Sequence, residues 1–470
     1  MANAQVQVDF LENGRGGYYL LHAGYKFSIR TRRDNRVYWR CVLRQCPATF
    51  ITLDNIPVVF GHQHHNHPPD TISLAADSFI VNVKKRCRDE VNAIPAIFEE
   101  ELGNLRDRDY DDDVEDMIKK IPTFESCKSA LYRSRAKVLP KLPQRQQDIQ
   151  LDDPWKETSA GERFLLSDDT NQQGQRIIIF ATDDNLRKLC QVTIMYSDGT
   201  FYSCPGLFSQ LYTLHGSVSR TMFPLVFALL PNKAEHTYIR FFTLLRDTVL
   251  QMNLMLVPEV AMLDFEVAAR NAINAVFPLT TTVKACFFHY TQCIWRKTQG
   301  CGLAARYKQD DELRKLVRRA AVLPLVPTRQ VEDVWFNALD ENEDNSPEVT
   351  RFKDYVTETW VEGQQLDLWN HYDNTGPRTT NHVEGWHSKV NRMCKHAHPN
   401  IYAIVKLLQK LQAADEVRMI QLSAGGKSRP RKKKYRRLDE RLTQLKDRFQ
   451  NGHINVNTYA DSASHLLHLD

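Results

Sequence analysis

Cys41 and Cys46, four residues apart, are followed eighteen residues later by His65 and His67, and this set constrains the first seventy residues more tightly than any other feature. Two thiolates and two imidazoles complete a tetrahedral zinc site and leave no position for water, which makes such a site structural. The residues around it read as short β-type runs (18–22, 25–29, 36–42, 49–52 and 57–61) punctuated by Gly, Asp and Asn. A β-module of about 55 residues buries too little apolar surface to be secure alone, so metal binding is expected to supply folding free energy. The reading takes His65 and His67 as the imidazole pair, although His62 and His64 repeat the same spacing. The ten cysteines of the chain are otherwise scattered, which argues against a disulfide framework.

The whole chain, 470 residues with 25% charged and 42% hydrophobic side chains, has room for about three ordinary globular domains. Its longest apolar stretch, 222–231, is ten residues, about half of what a membrane-spanning helix needs. Residues 1–17 carry Asp9 and Glu12 and no apolar core, so they do not read as a secretory signal, and an intracellular protein without a membrane partner is expected. Net charge is only +5, but residues 13–67 hold eight Lys or Arg against two Asp, and residues 427–437 hold eight in eleven. Local surplus of this kind is what phosphate binding requires.

Residues 72–139 are helical in pattern, with helices expected over 79–90, 97–102 and 124–138 and an acidic stretch, 106–116, that frays or caps a helix. The 124–138 helix, with Thr123 as its cap, turns Leu131 and Val138 inward and presents Lys128, Arg133, Arg135 and Lys137. It reads either as the recognition helix of a helix-turn-helix, with Arg133 and Arg135 at DNA, or as a plain support helix. Residues 140–165 read as a linker rich in Pro, Gln and Asp. Strands follow over 177–181, 191–197, 208–215, 222–230, 260–263 and 281–287, with helices over 237–252 and 266–276 between the later ones, which predicts a mixed sheet covered by helices. Residues 396–470 form a helical and basic tail. Its cluster, including Lys432 and Lys433, reads as a DNA-backbone contact, a nuclear localisation signal or a solvated segment.

Three carboxylates stand out. Asp198 closes an apolar run beside Gly199, Asp264 follows the short apolar run 260–263, and Glu384 lies on a helix whose Val383, Trp386, Val390 and Met393 make an apolar stripe. Asn381, Glu384, Ser388 and Asn391 share a separate polar face of that helix. Taken singly, an Asp of this kind is ordinarily a helix cap and a Glu of this kind a solvated side chain.

Their surroundings resemble known families. Tyr25-Lys26-Phe27, Tyr38-Trp39-Arg40-Cys41, Cys46 and His65-Asn66-His67-Pro68 resemble a FLYWCH zinc finger over residues 13–69. Such fingers bind DNA or proteins, and the local basic surplus favours DNA. Ser197-Asp198-Gly199-Thr200-Phe201, the 210–216 and 229–233 segments, Leu263-Asp264-Phe265-Glu266, Cys286-Phe287-Phe288-His289 and Asn381-His382-Val383-Glu384-Gly385-Trp386-His387 resemble, in that order, the Mutator-like (MULE) transposase domain over about 175–395. The resemblance implies a multidomain α+β protein with an RNase H-like α/β catalytic domain over 170–395, interrupted by a helical insertion at about 290–375. Asp198 would lie on the first core strand, Asp264 on the fourth and Glu384 on a helix beyond the insertion. Three converging carboxylates repel one another unless cations are bound, so two Mg²⁺ or Mn²⁺ ions are implied as catalytic cofactors beside the structural Zn²⁺. Cys286 and His289 match a Cys-x-x-His element of the family, for which packing or DNA contact stands beside metal ligation. Glu266 reads as an auxiliary ligand or, more simply, as a helix-start charge. The implied function is metal-dependent cleavage of double-stranded DNA at transposon ends and strand transfer into target DNA, by a nuclear protein that forms a homo-oligomer on DNA. The rivals are a domesticated, non-catalytic DNA-binding regulator and a protein-binding finger.

Overall fold

The computed structural model describes the chain except for residues 1–7, 14–16, 54, 55, 61, 63, 91, 107–110, 364, 375, 395, 429–432, 468 and 470, and only the backbone at 56–60 and 434. It divides into two units, Met1–Lys141 and Leu142–Asp470.

In the first unit, alternation of inward and outward side chains sets an antiparallel sheet of six strands in sequence order: β1 (Asp9–Glu12), β2 (Tyr18–His22), β3 (Tyr25–Arg33), β4 (Arg36–Cys41), β5 (Thr49–Leu53) and β6 (Ile56–Phe60). Leu20, Phe27, Trp39, Cys41 and Phe50 turn to one face and form its small core, and the Trp39 indole donates to Thr52 Oγ1 at 3.0 Å. The β2–β3 turn puts both Ala23 and Gly24 at positive φ, 48° and 80°, the backbone that a tight hairpin needs. A Cβ at Gly24 would stand 2.8 Å from Pro69 Cβ, so glycine also lets the hairpin pack on the segment following His67.

Four helices complete the unit: α1 (Thr71–Asp89), α2 (Ile94–Asn104), α3 (Asp112–Lys120) and α4 (Phe124–Ala136). α1 begins eight residues before the expected start because Asp70 caps it, accepting from Ser73 N at 3.0 Å. Asp111 caps α3 in the same way, accepting from Val114 N at 2.9 Å, so residues 112–116 of the acidic stretch are helix, while 107–110 lie outside the described residues. Phe79, Val83, Cys87, Ile97, Phe98, Cys127 and Leu131 form the helical core. Val138, expected inside, is 46% exposed because α4 ends two residues before it.

The second unit opens with residues 142–164, expected to be a linker. They run instead as an ordered arm that buries Ile149, Leu151, Trp155 and Phe164, and Arg176 Nη1 donates to the carbonyls of Gln146 (2.7 Å) and Ile149 (3.0 Å). Next come β7 (Leu165–Thr170), β8 (Arg176–Phe180), α5 (Asp183–Leu189), β9 (Ile194–Thr200), β10 (Gln210–Val218), β11 (Thr221–Leu230), α6 (Glu235–Gln251), β12 (Val260–Leu263), α7 (Val267–Val276) and β13 (Thr282–Ala285). The strands form one sheet in the order β13-β12-β9-β10-β11-β8-β7. β12 is parallel to both β9 and β13, and the remaining pairs are antiparallel. β10 and β11 are almost continuously buried, as strands covered on both faces are.

Adjacent residues on β9 show the two faces. Met195 joins the core made with Leu186, Tyr238, Phe242, Leu245 and Ile273, whereas Tyr196 joins Met262 and Val383. Beyond β13 the chain is helical: α8 (Phe287–Gly300), α9 (Ala304–Tyr307), α10 (Asp311–Val322), α11 (Val331–Glu341), α12 (Pro347–Val356), α13 (Leu366–Trp369), α14 (Asn381–Met393), α15 (Ile401–Ser423), α16 (Lys433–Gln450) and α17 (Val456–Ser464). The strand expected to reach 287 ends at Ala285, and Phe287 starts α8. A second core gathers Tyr290, Val317, Trp335, Phe352 and Trp369 with Tyr459 of α17. Among the described residues, no helix is long and apolar enough to cross a membrane.

Candidate metal centre and carboxylate site

The four ligand atoms of Cys41, Cys46, His65 and His67 lie within 4.8 Å of one another, a set able to hold a metal ion. Cys41 Sγ is 3.3 Å from His67 Nε2, Cys46 Sγ is 3.3 Å from His65 Nδ1, and the two ring nitrogens are 3.3 Å apart. The Tyr25 ring stacks on His65 with centroids 3.5 Å apart, and its hydroxyl donates to the His67 carbonyl at 3.3 Å. Asn66 Nδ2 donates to the Gln45 carbonyl at 3.0 Å, which ties the histidine loop to the cysteine turn. His62 and His64 are exposed and outside the cluster, so the fold chooses between the two histidine pairs. Burial pushes the Cys41 thiol up and the His65 imidazole down, both toward neutral forms.

In the second unit the sheet register brings two of the acids together. Met262 on β12 is level with Tyr196 on parallel β9; Asp198 lies two residues further along β9 and Asp264 directly follows the end of β12, and the charge of Asp198 acts on Asp264. Gly199 leaves room for the Gln210 side chain of neighbouring β10, since a Cβ would stand 2.2 Å from Gln210 Oε1. Asp198 Oδ1 accepts from Gly199 N at 2.7 Å, and Asp264 Oδ1 accepts from Glu266 N at 3.0 Å.

Glu384 arrives on the first turn of α14. That turn is anchored at Thr380, whose backbone N–H and hydroxyl both donate to Cys286 Sγ at 3.2 Å. His289 Nε2 lies 3.4 Å from Glu384 Oε1, and His387 Nδ1 lies 3.5 Å from Asp198 Oδ2. The two histidines thus stand beside the acids.

The charges feel one another. Burial pushes Asp264 up and Asp198 adds to the rise, against the opposing hydrogen bond from Glu266. Burial also raises Glu384, with His289 opposing and Asp198 reinforcing. Burial works against a charged His289, yet Cys286, Asp198 and Asp264 push it up to about 9. Burial raises Cys286, but His289 and Thr380 outweigh it and leave the thiol below its usual value.

Sequence reasoning did not foresee the part played by His387. Its Nε2 lies 3.1 Å from Thr213 Oγ1, which is 3.0 Å from His215 Nε2 and donates to the Asp198 carbonyl at 3.3 Å. Burial holds His215 well below its usual range, so it is neutral. The signal was available on α14, because a residue three after Glu384 shares its face.

The other candidates separate. Glu266 stands at the cap position of α7, accepts from the Tyr238 hydroxyl at 2.9 Å and pairs with Lys233 at 3.2 Å, the helix-start reading. Met393, assigned to the apolar stripe, is 46% exposed at the end of α14. Arg133 is exposed on α4. Arg135, a candidate DNA contact, turns inward instead, and its Nε donates to the Cys87 carbonyl at 2.9 Å and its Nη2 to that of Glu90 at 3.3 Å. It satisfies free carbonyls at the end of α1. Lys433 is exposed at the start of α16, and Lys432 lies outside the described residues.

Comparison with known families gives two matches. The MULE transposase domain matches residues 194–293, a span that opens on β9, contains Asp198, Asp264, Cys286 and His289, and stops short of Glu384. The FLYWCH zinc finger domain matches residues 10–67, which contain all four residues of the Cys/His cluster. No curated protein was found to match the chain. One chain thus carries a segment that matches the FLYWCH zinc finger domain and, further on, a segment that matches the MULE transposase domain.

Proposed function

We propose that the chain is a DNA transposase that cleaves the ends of a transposon and transfers them into target DNA, with Asp198, Asp264 and Glu384 as its catalytic acids. The observation that carries this reading is the convergence of Asp198, on β9, and Asp264, just past the end of parallel β12, close enough to feel each other's charge, with Glu384 brought in by α14. An RNase H-like architecture is supported by the strand order β13-β12-β9-β10-β11, in which β9, β10 and β11 form a meander and β12 and β13 add parallel strands beside β9. The helices from α8 to α13 are then its insertion.

The acid set suits hard divalent cations, since it offers carboxylate oxygens whose buried negative charge is only partly offset by His289. Two Mg²⁺ or Mn²⁺ ions, if held there by Asp198, Asp264 and Glu384, would supply activation of water or a 3′-hydroxyl and stabilisation of the leaving oxygen. Asp198 and Asp264 bind from the sheet and Glu384 from the helix, while His387 and Thr213 orient Asp198. His289 holds Glu384.

The Cys41, Cys46, His65 and His67 set fits zinc, being two thiolates and two imidazoles within reach of one ion. The finger and the cluster at 427–437 are DNA-binding segments in this reading, and the cluster also serves nuclear import. A homo-oligomer on double-stranded DNA follows from the need to handle two transposon ends.

A second reading, a non-catalytic DNA-binding regulator, is favoured by the FLYWCH finger, which such a protein would keep. The acid set speaks against it, since a regulator has no use for three converging carboxylates. The test is incubation of the purified chain with random linear DNA and Mg²⁺ or Mn²⁺, sequencing both what is bound and what is cut. Metal-dependent cuts abolished by Asp198→Asn support the transposase. Sequence-selective binding without cuts supports the regulator.

A further inference from the structure

Beside the acids a groove of about 480 Å³ opens against Glu384 and His387, and its other walls are Tyr202, Ser388, Asn391 and Arg392. Ser388, Asn391 and Arg392 follow Glu384 by four, seven and eight residues, so they continue its side of α14 toward the helix end. Tyr202 comes from the turn after β9, four residues beyond Asp198. Its backbone is held by His398, whose N–H donates to the Tyr202 carbonyl at 2.8 Å, and the preceding strand end is tied to α14 by the Thr200 hydroxyl, which donates to Asn391 Oδ1 at 3.5 Å.

The lining is unusual for a solvated surface. Tyr202 is 40% exposed and its neighbour Phe201 49%, with the Lys233 ammonium 4.7 Å from the Phe201 ring centroid. An aromatic face, a guanidinium, a hydroxyl and an amide around a space of this size match the parts of one nucleotide. Bases stack on aromatic rings whatever their sequence, and Arg serves the phosphate. The volume falls within the roughly 300–1,000 Å³ of ordinary ligand sites.

We propose that this groove is a subsite for one unpaired nucleotide of DNA beside the bond to be cut, with its base stacked on Tyr202, its edge toward Ser388 and Asn391 and its phosphate toward Arg392. The inference rests on the transposase reading and adds to it that the strand is received locally opened, not as intact duplex. An intact duplex presents its bases stacked and out of reach of a side-wall tyrosine, so Tyr202 gains a partner only where pairing is broken.

The test uses the full zinc-loaded chain in Ca²⁺ without Mg²⁺ or Mn²⁺. The probes are a single-stranded DNA oligonucleotide and a gapped duplex, each carrying 2-aminopurine in the unpaired region, and an intact duplex of equal length. The wild type is expected to bind the unpaired probes and quench their fluorescence. Tyr202→Ala should weaken that binding at least about fivefold and remove the quenching, Tyr202→Trp should retain both, and duplex affinity should stay unchanged in both variants. Arg392→Gln should weaken binding to the unpaired probes and flatten its salt dependence by about one phosphate contact. Circular dichroism identical to wild type shows that a variant is folded, and the tryptophan variant keeps the question open to test if the alanine variant is not. Equal affinity and quenching for Tyr202→Ala and wild type would overturn the proposal, as would an equal loss on duplex. These readouts need no chemistry, so absence of DNA cutting in Mg²⁺ sinks the transposase reading without touching them.

Discussion

Asp264 and Glu384 are carboxylates whose ionised form is disfavoured by burial, and the consequence for stability has a definite sign. A carboxyl with its folded pKa raised contributes stability that is full below the unfolded value and is lost as pH rises through the folded value. In the metal-free protein, therefore, Asp264→Asn should raise the melting temperature at pH 7 and leave it little changed at pH 3.5. The same substitution should lower DNA cleavage by more than about 10²-fold and abolish the stabilisation that added Mg²⁺ gives the wild type. A melting temperature that falls at pH 7 would contradict the assignment of Asp264 as a carboxylate held charged against its surroundings. Asp198, Asp264 and Glu384 stand out in the sequence only through the family resemblance of their surroundings, because a strand-end Asp or a helix Glu taken singly reads as a cap or a solvated side chain. The contacts of His387 with Asp198 and of Thr380 with Cys286 cross between distant elements, so spacing on α14 marks His387 as a neighbour of Glu384 without naming its partner, and gives no sign of the Thr380 contact.

At the scale of single elements, the finger and the helices beside it depend on different forces. Cys41 is both a candidate ligand and a core residue, 3% exposed among Leu20, Phe27 and Phe50. Cys41→Ser should therefore abolish zinc binding and unfold the β-sheet of residues 9–60, read as loss of bound zinc and as rapid proteolysis within that segment. Retained zinc at one ion per chain would refute the ligand set. On α4 the two arginines divide their work. Arg135→Ala should cost about 1–3 kcal/mol in urea unfolding, because it leaves the Cys87 and Glu90 carbonyls without their charged donor. Arg133→Ala should leave stability within about 0.5 kcal/mol, and it is the variant to examine for DNA affinity. The sequence marked most strands because β10, β11 and β12 are dense apolar runs. It passed over β7, which reads Leu-Leu-Ser-Asp-Asp-Thr at the sheet edge, where polar residues are tolerated and the apolar signal is weak. The arm at 142–164 reads as a linker in the sequence because its Pro, Gln and Asp hide the few residues, Ile149, Leu151 and Trp155, that hold it down.

Over the whole molecule, the chain's two ends of function are separated in charge as well as in fold. The second unit closes its helical core with its own C-terminal helix, where Arg319, 2% exposed, is paired by Asp461 at 2.6 Å and by Glu341 at 3.1 Å. That closure was not legible, since nothing near Asp461 in sequence points to a buried arginine about 140 residues earlier. Charge placement, by contrast, can be read directly. A net +5 over 470 residues conceals a surplus of six at 13–67 and of eight at 427–437, so the remainder of the chain is net acidic. In the transposase reading the basic segments contribute affinity through release of counterions, with log K falling by about 0.9 per neutralised phosphate for each unit of log salt. Replacing the eight basic residues of 427–437 by glutamine should flatten the slope of a log–log salt titration on duplex DNA, by an amount that counts the tail's phosphate contacts. The same replacement should leave the metal-free melting temperature nearly unchanged, because Lys427, Lys433, Arg436 and Arg437 are exposed. An unchanged slope with weakened binding would mean that the substitutions disturb α16, and an unchanged slope with unchanged binding would place the tail away from DNA altogether.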